Sequence, residues 1–411
     1  MRDNTTVTAG VKFDKAIAIT GAMAPIGVSL GSAGFESIII LTSLIWIFRA
    51  CIIKDMDIKR LIRHPLIVPA AGIFLSILIS VLINGGGSKG TLHDIATIRH
   101  LLYLVALLET SGRFPVGKYL FYGLVVGIVY AMANIACAHL LGQDFLGKPI
   151  ARYTSKLKEG NRYPTLLVFM SLYFLSWGIL GNHSTRLKKY IILGTGITGA
   201  LFLSLFMIKT LILSFTAGVF FILCFKCLKE YTKRTVMALS LIAGIGAVIL
   251  AQPETIQYIY SKINLSSFYA RIFIWKVAFQ MWLEHPLTGV GISSFKDVYS
   301  ITAQSGAVKP FISPQGTIIS GPISQYHAHN LILQVLSCTG VTGLFTTLLF
   351  SLNTIKLCFR NLTGYRLGLT PWPLTYFIIS LAGFSIYTGW YSAMSIYMAV
   401  FCGCCWNKND R

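Results

Sequence analysis

Charged residues are scarce in this sequence. Of its 411 residues only 12% are Asp, Glu, Lys or Arg, about half the share of an ordinary soluble domain, while 55% are hydrophobic. Apolar stretches of about 20 residues, the length that crosses a hydrocarbon core of ~30 Å, recur along the whole chain and leave no room for a separate soluble core. The composition therefore excludes a soluble globular protein and predicts an integral membrane protein.

Acidic residues are the scarcest charges, and their lack limits the possible chemistry. The chain has 14 Asp and Glu against 35 Lys and Arg. Glycosidases need a pair of carboxylates, and the long polar segment 252–328 offers no convincing pair. A substrate that already carries a good leaving group, such as a lipid pyrophosphate, instead needs cations at that group and a base on the nucleophile.

Cysteines are absent from the segment 252–328, although the chain has nine. No disulfide framework is predicted, and the "CGCC" run at 402–405 lacks partner histidines for a zinc site. In the long segment only His285 and a thin set of carboxylates, Glu254, Glu284 and Asp297, could complete a metal site. The sequence therefore predicts neither a metal nor another cofactor.

About twelve segments are apolar enough to be membrane helices. They lie near 16–32, 35–52, 65–83, 95–110, 119–141, 164–182, 190–208, 211–227, 235–251, 330–356, 371–388 and 390–406. The prediction is an all-α integral membrane protein, with helices 1–9 in residues 1–251, a large outer loop in 252–328, and helices 10–12 in 329–411.

Basic residues fall mostly in short loops between these segments. With the N-terminus inside, the basic loops 49–64, 183–190, 226–234 and 356–366 all lie on the cytoplasmic side, as the positive-inside rule expects. The net charge of +21 is thus explained without a nucleic-acid partner. One loop disagrees: 142–164 is predicted outside and contains Lys148, Arg152, Lys156, Lys158 and Arg162. Either the statistical rule fails here, or this loop meets an anionic substrate or lipid headgroups.

Within 252–328, "SSFYARIFIWKVAFQMWLEHPLTGVG" predicts a helix capped by Ser266 or Ser267 and stopped by His285 and Pro286. One face carries Arg271 and two tryptophans at helical spacing, which is typical of a helix at the membrane interface. Arg271 could there simply reach to headgroups. The Gly-, Ser-, Pro- and Thr-rich residues after "HPLTGVG" predict a flexible flap.

His327, His329 and Asn330 follow this flap, at the start of the tenth span. A histidine there has three interpretations: a hydrogen bond to loop carbonyls, a metal ligand, or a general acid or base, for which imidazole near pH 7 is suited. Lys209 is the sole charge in the apolar stretch of the seventh and eighth spans and is predicted at their outer turn. Either it supplies a functional cation at the level of Arg271 and His329, or it reaches to headgroups from a helix end.

The motifs "ARIFIW", "HPLTGVG" and "HAHNLILQVLSCTGVTGL" together resemble the O-antigen ligase family, whose C-terminal region is shared with some O-antigen polymerases. The clear similarity runs from about 205 to 345. The resemblance implies a metal-independent glycosyltransferase of the membrane-embedded C class, with the long loop in the periplasm between helices 9 and 10. It would transfer a polysaccharide from undecaprenyl pyrophosphate to a sugar hydroxyl of lipid A-core, at the periplasmic face of a Gram-negative inner membrane.

The resemblance also implies roles for individual residues. His329 corresponds to the family's essential histidine, proposed as the base, and Arg271 to an arginine of the periplasmic loop that engages pyrophosphate. The family's other arginine aligns with Lys209, a departure, because lysine lacks the planar fork that grips two phosphate oxygens. Either Lys209 substitutes as a point charge, or Arg162 or Arg152 supplies the fork. His327 is either a neighbour that orients His329 or a loop residue.

Two other functions stay open. An O-antigen polymerase uses the same donor but takes a second lipid-linked glycan as acceptor; the compact chain and the H-N motif at the mouth of the tenth span favour the ligase. A polysaccharide transporter or flippase would attract an anionic cargo with its basic loops. Coupled transporters usually have intramembrane acids and paired broken helices, and the sequence is poor in both.

Overall fold

The computed structural model describes residues 4–84, 88–143, 162–204, 209–230, 265–312, 318–319, 322–360, 362–382 and 389–404. These residues are almost entirely helical. The helices of the first half are α1 Asn4–Ala22, α2 Ala24–Leu30, α3 Ser32–Ile53, α4 Ile58–Arg63, α5 Ile67–Asn84, α6 Ser88–Ile95, α7 Ile98–Thr110 and α8 Val116–Leu141. Those of the second half are α9 Arg162–Leu180, α10 Arg186–Ser204, α11 Lys209–Glu230, α12 Leu265–Glu284, α13 Phe295–Gln304, α14 Leu331–Cys358, α15 Trp372–Ala382 and α16 Gly389–Gly403.

Two short elements complete the described chain. A 3₁₀ helix covers Gly364–Leu369. Two strands, β1 Phe311–Ile312 and β2 Ile318–Ile319, pair antiparallel, with Phe311 opposite Ile319. The prediction of an all-α fold is thus confirmed for the described residues, apart from this pair of two-residue strands.

Six described helices are long and apolar enough to cross a membrane. They are Ala33–Ile53, Ile67–Asn84, Gly90–Thr110, Val116–Ala138, Thr210–Cys227 and Leu331–Cys358. A seventh span results if Thr8–Ala22 and Ala24–Leu30, which meet at a bend of 41°, count together. The protein is therefore a multi-pass membrane protein.

The remaining predicted spans coincide with helices only in part. Pro164–Leu180 is apolar but short for a span, and α10, α15 and α16 overlap 190–208, 371–388 and 390–406. The predicted span 235–251 lies outside the described residues. The number twelve, and the side on which each loop lies, stay predictions.

Close packing of α14 on α5 forms one wall of the helix bundle. Small residues allow it: a Cβ added to Gly72 would lie 2.6 Å from Thr346 Cγ2, and one added to Gly343 would lie 3.2 Å from Ser76 Oγ. Hydrophobic side chains do not drive helices together inside a lipid phase, so such close backbone approach supplies the packing contact instead.

Polar contacts hold the end of the bundle where α14 finishes. Because His329 lies at the start of α14, we call this end the opposite end. Arg49, only 2% exposed, forms ion pairs with Asp14 and Asp55, both at 2.7 Å. Asn353 Nδ2 donates to Pro65 O at 2.8 Å. Buried charges need such partners, since an unpaired charge would be costly.

A disulfide joins Cys358, the last residue of α14, to Cys402 in α16 at this end. The expectation that no disulfide forms is therefore wrong for this pair. Spacing along the chain gave no sign of it, because the two cysteines meet only through the packing of two helices that are distant in sequence.

The segment between α11 and α14 has a small hydrophobic core of its own. Phe273 and Val277 of α12, Phe295 and Tyr299 of α13, and Ala328 are among its buried members. The predicted helix in this segment is confirmed, although Ser266 and Ser267 lie inside α12 rather than capping it.

The predicted flexible flap is wrong in its first part. The helix α13 occupies Phe295–Gln304, where "FKDVYSITAQ" places the buried side chains of Phe295, Tyr299 and Thr302 on one helical face. That spacing of i, i+4 and i+7 is a helical signal. The abundance of polar residues around it concealed the signal.

Candidate active site

The helix α14 is interrupted at Gly340, whose backbone angles (φ 65°, ψ −163°) are not helical. The "HPLTGVG" segment, residues 285–291, lies against this break. Three backbone hydrogen bonds join them: Val290 N to Ser337 O at 2.8 Å, Gly291 N to Cys338 O at 2.9 Å, and Val341 N to Pro286 O at 2.9 Å.

These bonds replace the ones that the break removes. In a continuous helix, Val341 N would donate to Ser337 O. At the break both groups bond to the loop instead, so neither is left unsatisfied inside the protein. The break therefore acts as the docking site for "HPLTGVG", and the two motifs form one structural unit.

Glycine is required on both sides of this contact. A Cβ at Gly340 would lie 2.2 Å from Leu287 C, and one at Gly289 would lie 2.3 Å from Cys338 C. Both residues also have positive φ, 65° and 61°, which side chains rarely tolerate. These two requirements give a physical reason for the glycines in the two motifs.

The C-terminal ends of α5 and α6 brace the same loop. Asn84 Nδ2 donates to Gly289 O at 2.7 Å, and Ser80 Oγ donates to Cys338 O at 3.0 Å. The carboxylate of Asp94, 2% exposed, accepts from Ser293 N at 3.2 Å. The loop is thus fixed by residues from the first half of the chain as well as by α14.

His329 lies directly before α14, on the same side of the break as the docked loop. Its φ of 52° is left-handed, an uncommon conformation for a residue other than glycine that is also found at Lys54. Asn330 follows as the N-cap of α14, and its Oδ1 accepts from Leu333 N at 3.1 Å. The turn and the cap together fix the direction in which the backbone presents His329.

Gln334 holds the residue on the other side of His329. Ala328, fully buried, donates its N–H to Gln334 Oε1 at 2.5 Å, and Gln334 Nε2 donates to Cys338 Sγ at 3.0 Å. Gln334 is 2% exposed and lies one turn into α14. It therefore links the histidine segment to the residues that meet the docked loop.

The rings of His327 and His329 are neighbours, with centroids 4.2 Å apart and planes inclined by 52°. Burial, and then the proximity of His329, lower the pKa of His327 to about 4. His327 is therefore neutral near pH 7. A neutral imidazole at His327 adds no positive charge next to His329, which suits a proton acceptor.

Arg271 lies in α12, which packs against α14. The next residues of this helix, Phe273 and Ile274, belong to the same small core as Ala328 and Cys338. Arg271 is half-buried, and no acid or carbonyl of the described residues binds its guanidinium. The structure thus brings the segments that carry Arg271 and His329 together in one small core.

The other predicted cations are described only in part. Lys209 and Arg162 begin α11 and α9, but their side chains lie outside the described part of the structure. Lys148, Arg152, Lys156 and Lys158 lie outside the described residues altogether. A role for any of them stays a prediction. Within the described residues no three His, Cys, Asp or Glu side chains are placed to hold a metal ion together.

Residues 191–348 match the family model described as O-antigen ligase. The chain carries an O-antigen ligase family domain. The resemblance read from the motifs is thereby confirmed, and its extent is close to the predicted 205–345. A comparison with curated proteins finds no match.

The O-antigen ligase domain contains Arg271, the docked "HPLTGVG" loop, both histidines and the break at Gly340. Asn84 and Asp94 lie outside the matched residues and yet contact its loop. The sequence interpretation missed both of them, and it missed Gln334. All three are polar residues near or inside apolar spans, where a polar side chain usually has a partner or a function, so the sequence could have indicated them.

Proposed function

We propose that this protein is an O-antigen ligase. It transfers a polysaccharide from undecaprenyl pyrophosphate to a sugar hydroxyl of lipid A-core, at the periplasmic face of the inner membrane. The observation that carries the proposal is the unit formed by the broken α14 and the docked "HPLTGVG" loop, which holds His329 in a left-handed turn beside the Arg271 helix.

The reaction is a single displacement at the anomeric carbon of the donor sugar. His329 accepts the proton of the acceptor hydroxyl while its oxygen forms the new glycosidic bond. The bond from the anomeric carbon to the pyrophosphate oxygen breaks, and undecaprenyl pyrophosphate leaves with the electron pair. Attack opposite to the leaving group inverts the anomeric configuration.

Cations contribute most where negative charge grows, at the departing pyrophosphate oxygen. Arg271 is suited to this role because its guanidinium is half-buried and no described residue binds it. Its planar fork can bind two phosphate oxygens at once. Lys209, or an arginine such as Arg162, would add a second positive charge.

The decisive experiment is transfer by the purified protein in detergent. Undecaprenyl-pyrophosphate-linked glycan and rough lipopolysaccharide are the substrates, with no ion gradient present. The ligase yields glycan attached to lipid A-core. Longer lipid-linked glycan without transfer to the core would indicate an O-antigen polymerase, and no product from either acceptor would count against an enzyme of either kind. A chelator is expected to leave transfer unchanged.

The base is tested by His329→Ala, with His183→Ala as the matched control. His183, between α9 and α10, bonds to Trp177 O at 3.0 Å and is remote in sequence from the site. Loss of a general base lowers turnover about 10²–10⁴-fold, while His183→Ala should retain wild-type turnover. Wild-type turnover by His329→Ala would remove this imidazole from the mechanism.

A further inference from the structure

An exposed tyrosine lies three residues before His329. Tyr326 is 72% exposed, the largest exposed fraction of any aromatic side chain in the described part of the chain. Three residues of extended chain span at most about 11 Å. A sugar that offers its hydroxyl to His329 can therefore contact this ring, either directly or through the sugar next to it.

Lys296 of α13 orients this tyrosine. Its Nζ donates to Tyr326 Oη at 3.1 Å and lies 4.6 Å from the centre of the ring. The two residues are thirty positions apart in the chain. A cation at this distance is attracted by the negative face of an aromatic ring. The ring is thus held in place although most of its surface faces the solvent.

The helix α13 is itself fixed by buried side chains. Phe295 and Tyr299, both fully buried, belong to the small core and stack with ring centroids 5.9 Å apart. Tyr299 Oη donates to Pro322 O at 3.1 Å. The segment 322–326 is therefore joined to α13 at two points. An exposed ring that is already oriented loses less freedom when a ligand binds to it, which favours binding.

We propose that Tyr326 and Lys296 bind the acceptor through a sugar that carries an anionic substituent, phosphate or carboxylate. This inference rests on the proposed function and adds the chemistry of the acceptor sugar. The apolar C–H face of a sugar ring packs on the tyrosine ring, whose face is negative. An ammonium has three donor hydrogens, so Lys296 can keep its bond to Tyr326 while it donates to the anion.

The position of the pair favours the acceptor over the donor. In the proposed reaction His329 takes the proton of the acceptor hydroxyl, and Tyr326 belongs to the same segment of chain. A single displacement places the acceptor and the leaving pyrophosphate on opposite sides of the anomeric carbon. The acceptor therefore needs contacts separate from those of Arg271, which lies on α12, whereas Lys296 lies on α13.

Matched variants separate the ring and the charge from general surface effects. Tyr326→Ala removes the ring, and Tyr326→Phe keeps the ring without its hydroxyl. Tyr190→Ala is the control, because Tyr190 is 64% exposed and lies on α10. Lys296→Ala removes the charge. Lys309→Ala is its control, because it removes the same charge from an exposed lysine five residues after the end of α13.

The first measurement is binding of the acceptor without transfer. The probe is the core oligosaccharide freed of lipid A, and saturation-transfer difference NMR shows which of its C–H protons contact the purified protein. Tyr326→Ala should weaken this binding about tenfold, the scale of one lost aromatic contact. Tyr326→Phe should stay within a fewfold of the wild type, and Tyr190→Ala should equal it. Equal binding by Tyr326→Ala and the wild type, or no binding by the wild type, would overturn the proposal.

The anionic contact is tested with modified cores. Removal of the phosphates and reduction of the carboxylates give two cores that separate the two kinds of anion. Lys296→Ala should weaken binding of the unmodified core about tenfold, as expected for a lost charge-assisted hydrogen bond. It should bind the core that lacks the contacted anion as well as the wild type does. Equal loss with every core, or the same pattern in Lys309→Ala, would contradict the contact.

The second measurement is the transfer assay. Tyr326→Ala and Lys296→Ala should each raise the acceptor KM about tenfold and leave the donor KM unchanged. A raised donor KM with an unchanged acceptor KM would move the pair to the donor and overturn the proposal. If the wild type transfers no glycan, the proposed function fails, and NMR still decides whether the pair binds the core. If transfer occurs and both variants keep the wild-type acceptor KM, the proposed function stands and this site is wrong.

Discussion

The substitution Gly340→Ala tests whether the break in α14 positions the site. Alanine in a backbone region that is favourable only for glycine costs about 1–3 kcal/mol. Its Cβ would also lie 2.2 Å from Leu287 C. The loop must then move away, and the three backbone hydrogen bonds that hold it contribute about 1 kcal/mol each. The docked arrangement is thus disfavoured by about 4–6 kcal/mol.

The cost to overall stability should be smaller than this sum. Once the loop has left, Val341 N can return to Ser337 O, and α14 can become a continuous helix. We therefore expect Gly340→Ala to remain folded in detergent, to lose at least a hundredfold in transfer, and to lose the hydrogen-exchange protection of the Val290 and Gly291 amides.

The matched control is Gly306→Ala. Gly306 also has positive φ, 76°, but a Cβ there would meet no atom within 4 Å. It carries the strain of the backbone without the clash, so transfer should stay within a fewfold of the wild type. The reasoning is refuted if Gly340→Ala behaves like Gly306→Ala in both assays.

Three further predictions concern side chains of the site. Arg271→Ala should raise the donor KM by one to two orders of magnitude, because a hydrogen bond to a charged group contributes ~1.5–3 kcal/mol. Arg271→Lys should have an intermediate donor KM. An unchanged donor KM would indicate that Arg271 serves only at the membrane interface. Gln334→Leu leaves Ala328 N without its acceptor, so kcat should fall while the donor KM changes little. Gln334→Glu keeps an acceptor oxygen and should recover part of the lost kcat. Equal activity of the two variants would contradict the positioning role. The pKa of His327 is about 4 in the docked segment and 6.5 in the unfolded chain. Between pH 4 and 6.5 only the undocked segment binds a proton. Docking is therefore strongest above pH 6.5 and weakens as the pH falls toward 4. Hydrogen exchange of residues 322–330 should show this loosening, and His327→Ala should abolish its pH dependence. A local measurement is needed because burial lowers the pKa of His64, at the opposite end, to about 4 as well, so overall stability would report both histidines.

Much of the fold followed from the composition. Apolar runs of membrane length predicted helices, and six of them are present as spans in the described residues. Helix α12 was predicted from its apolar spacing and from Pro286 at its end. These predictions succeeded because hydrophobic period and length are local properties of a sequence.

The contacts between segments could not be read in this way. Gly340 looked like an ordinary glycine in a membrane helix, and only the approach of Leu287 shows why it interrupts α14. Asn84 and Asp94 support a loop about two hundred residues further along, as their separations from Gly289 and Ser293 show. The disulfide between Cys358 and Cys402 was missed for the same reason. Each depends on which distant segments meet, and periodicity does not carry that information.

The break at Gly340 divides α14 into two parts with different tasks. Residues 331–339 belong to the site, since Asn330 caps this part and Gln334 anchors the histidine segment within it. Residues 341–358 belong to the bundle, where they pack on α5. A continuous helix would satisfy its own backbone groups and offer nothing to "HPLTGVG". By giving up its hydrogen bonds at one glycine, the helix fixes the docked loop beside the proposed base, His329, which precedes its N-terminal end. The position of the proposed base and the packing on α5 thus depend on different parts of one helix, so a displacement at Gly340 should disturb catalysis and leave the bundle folded.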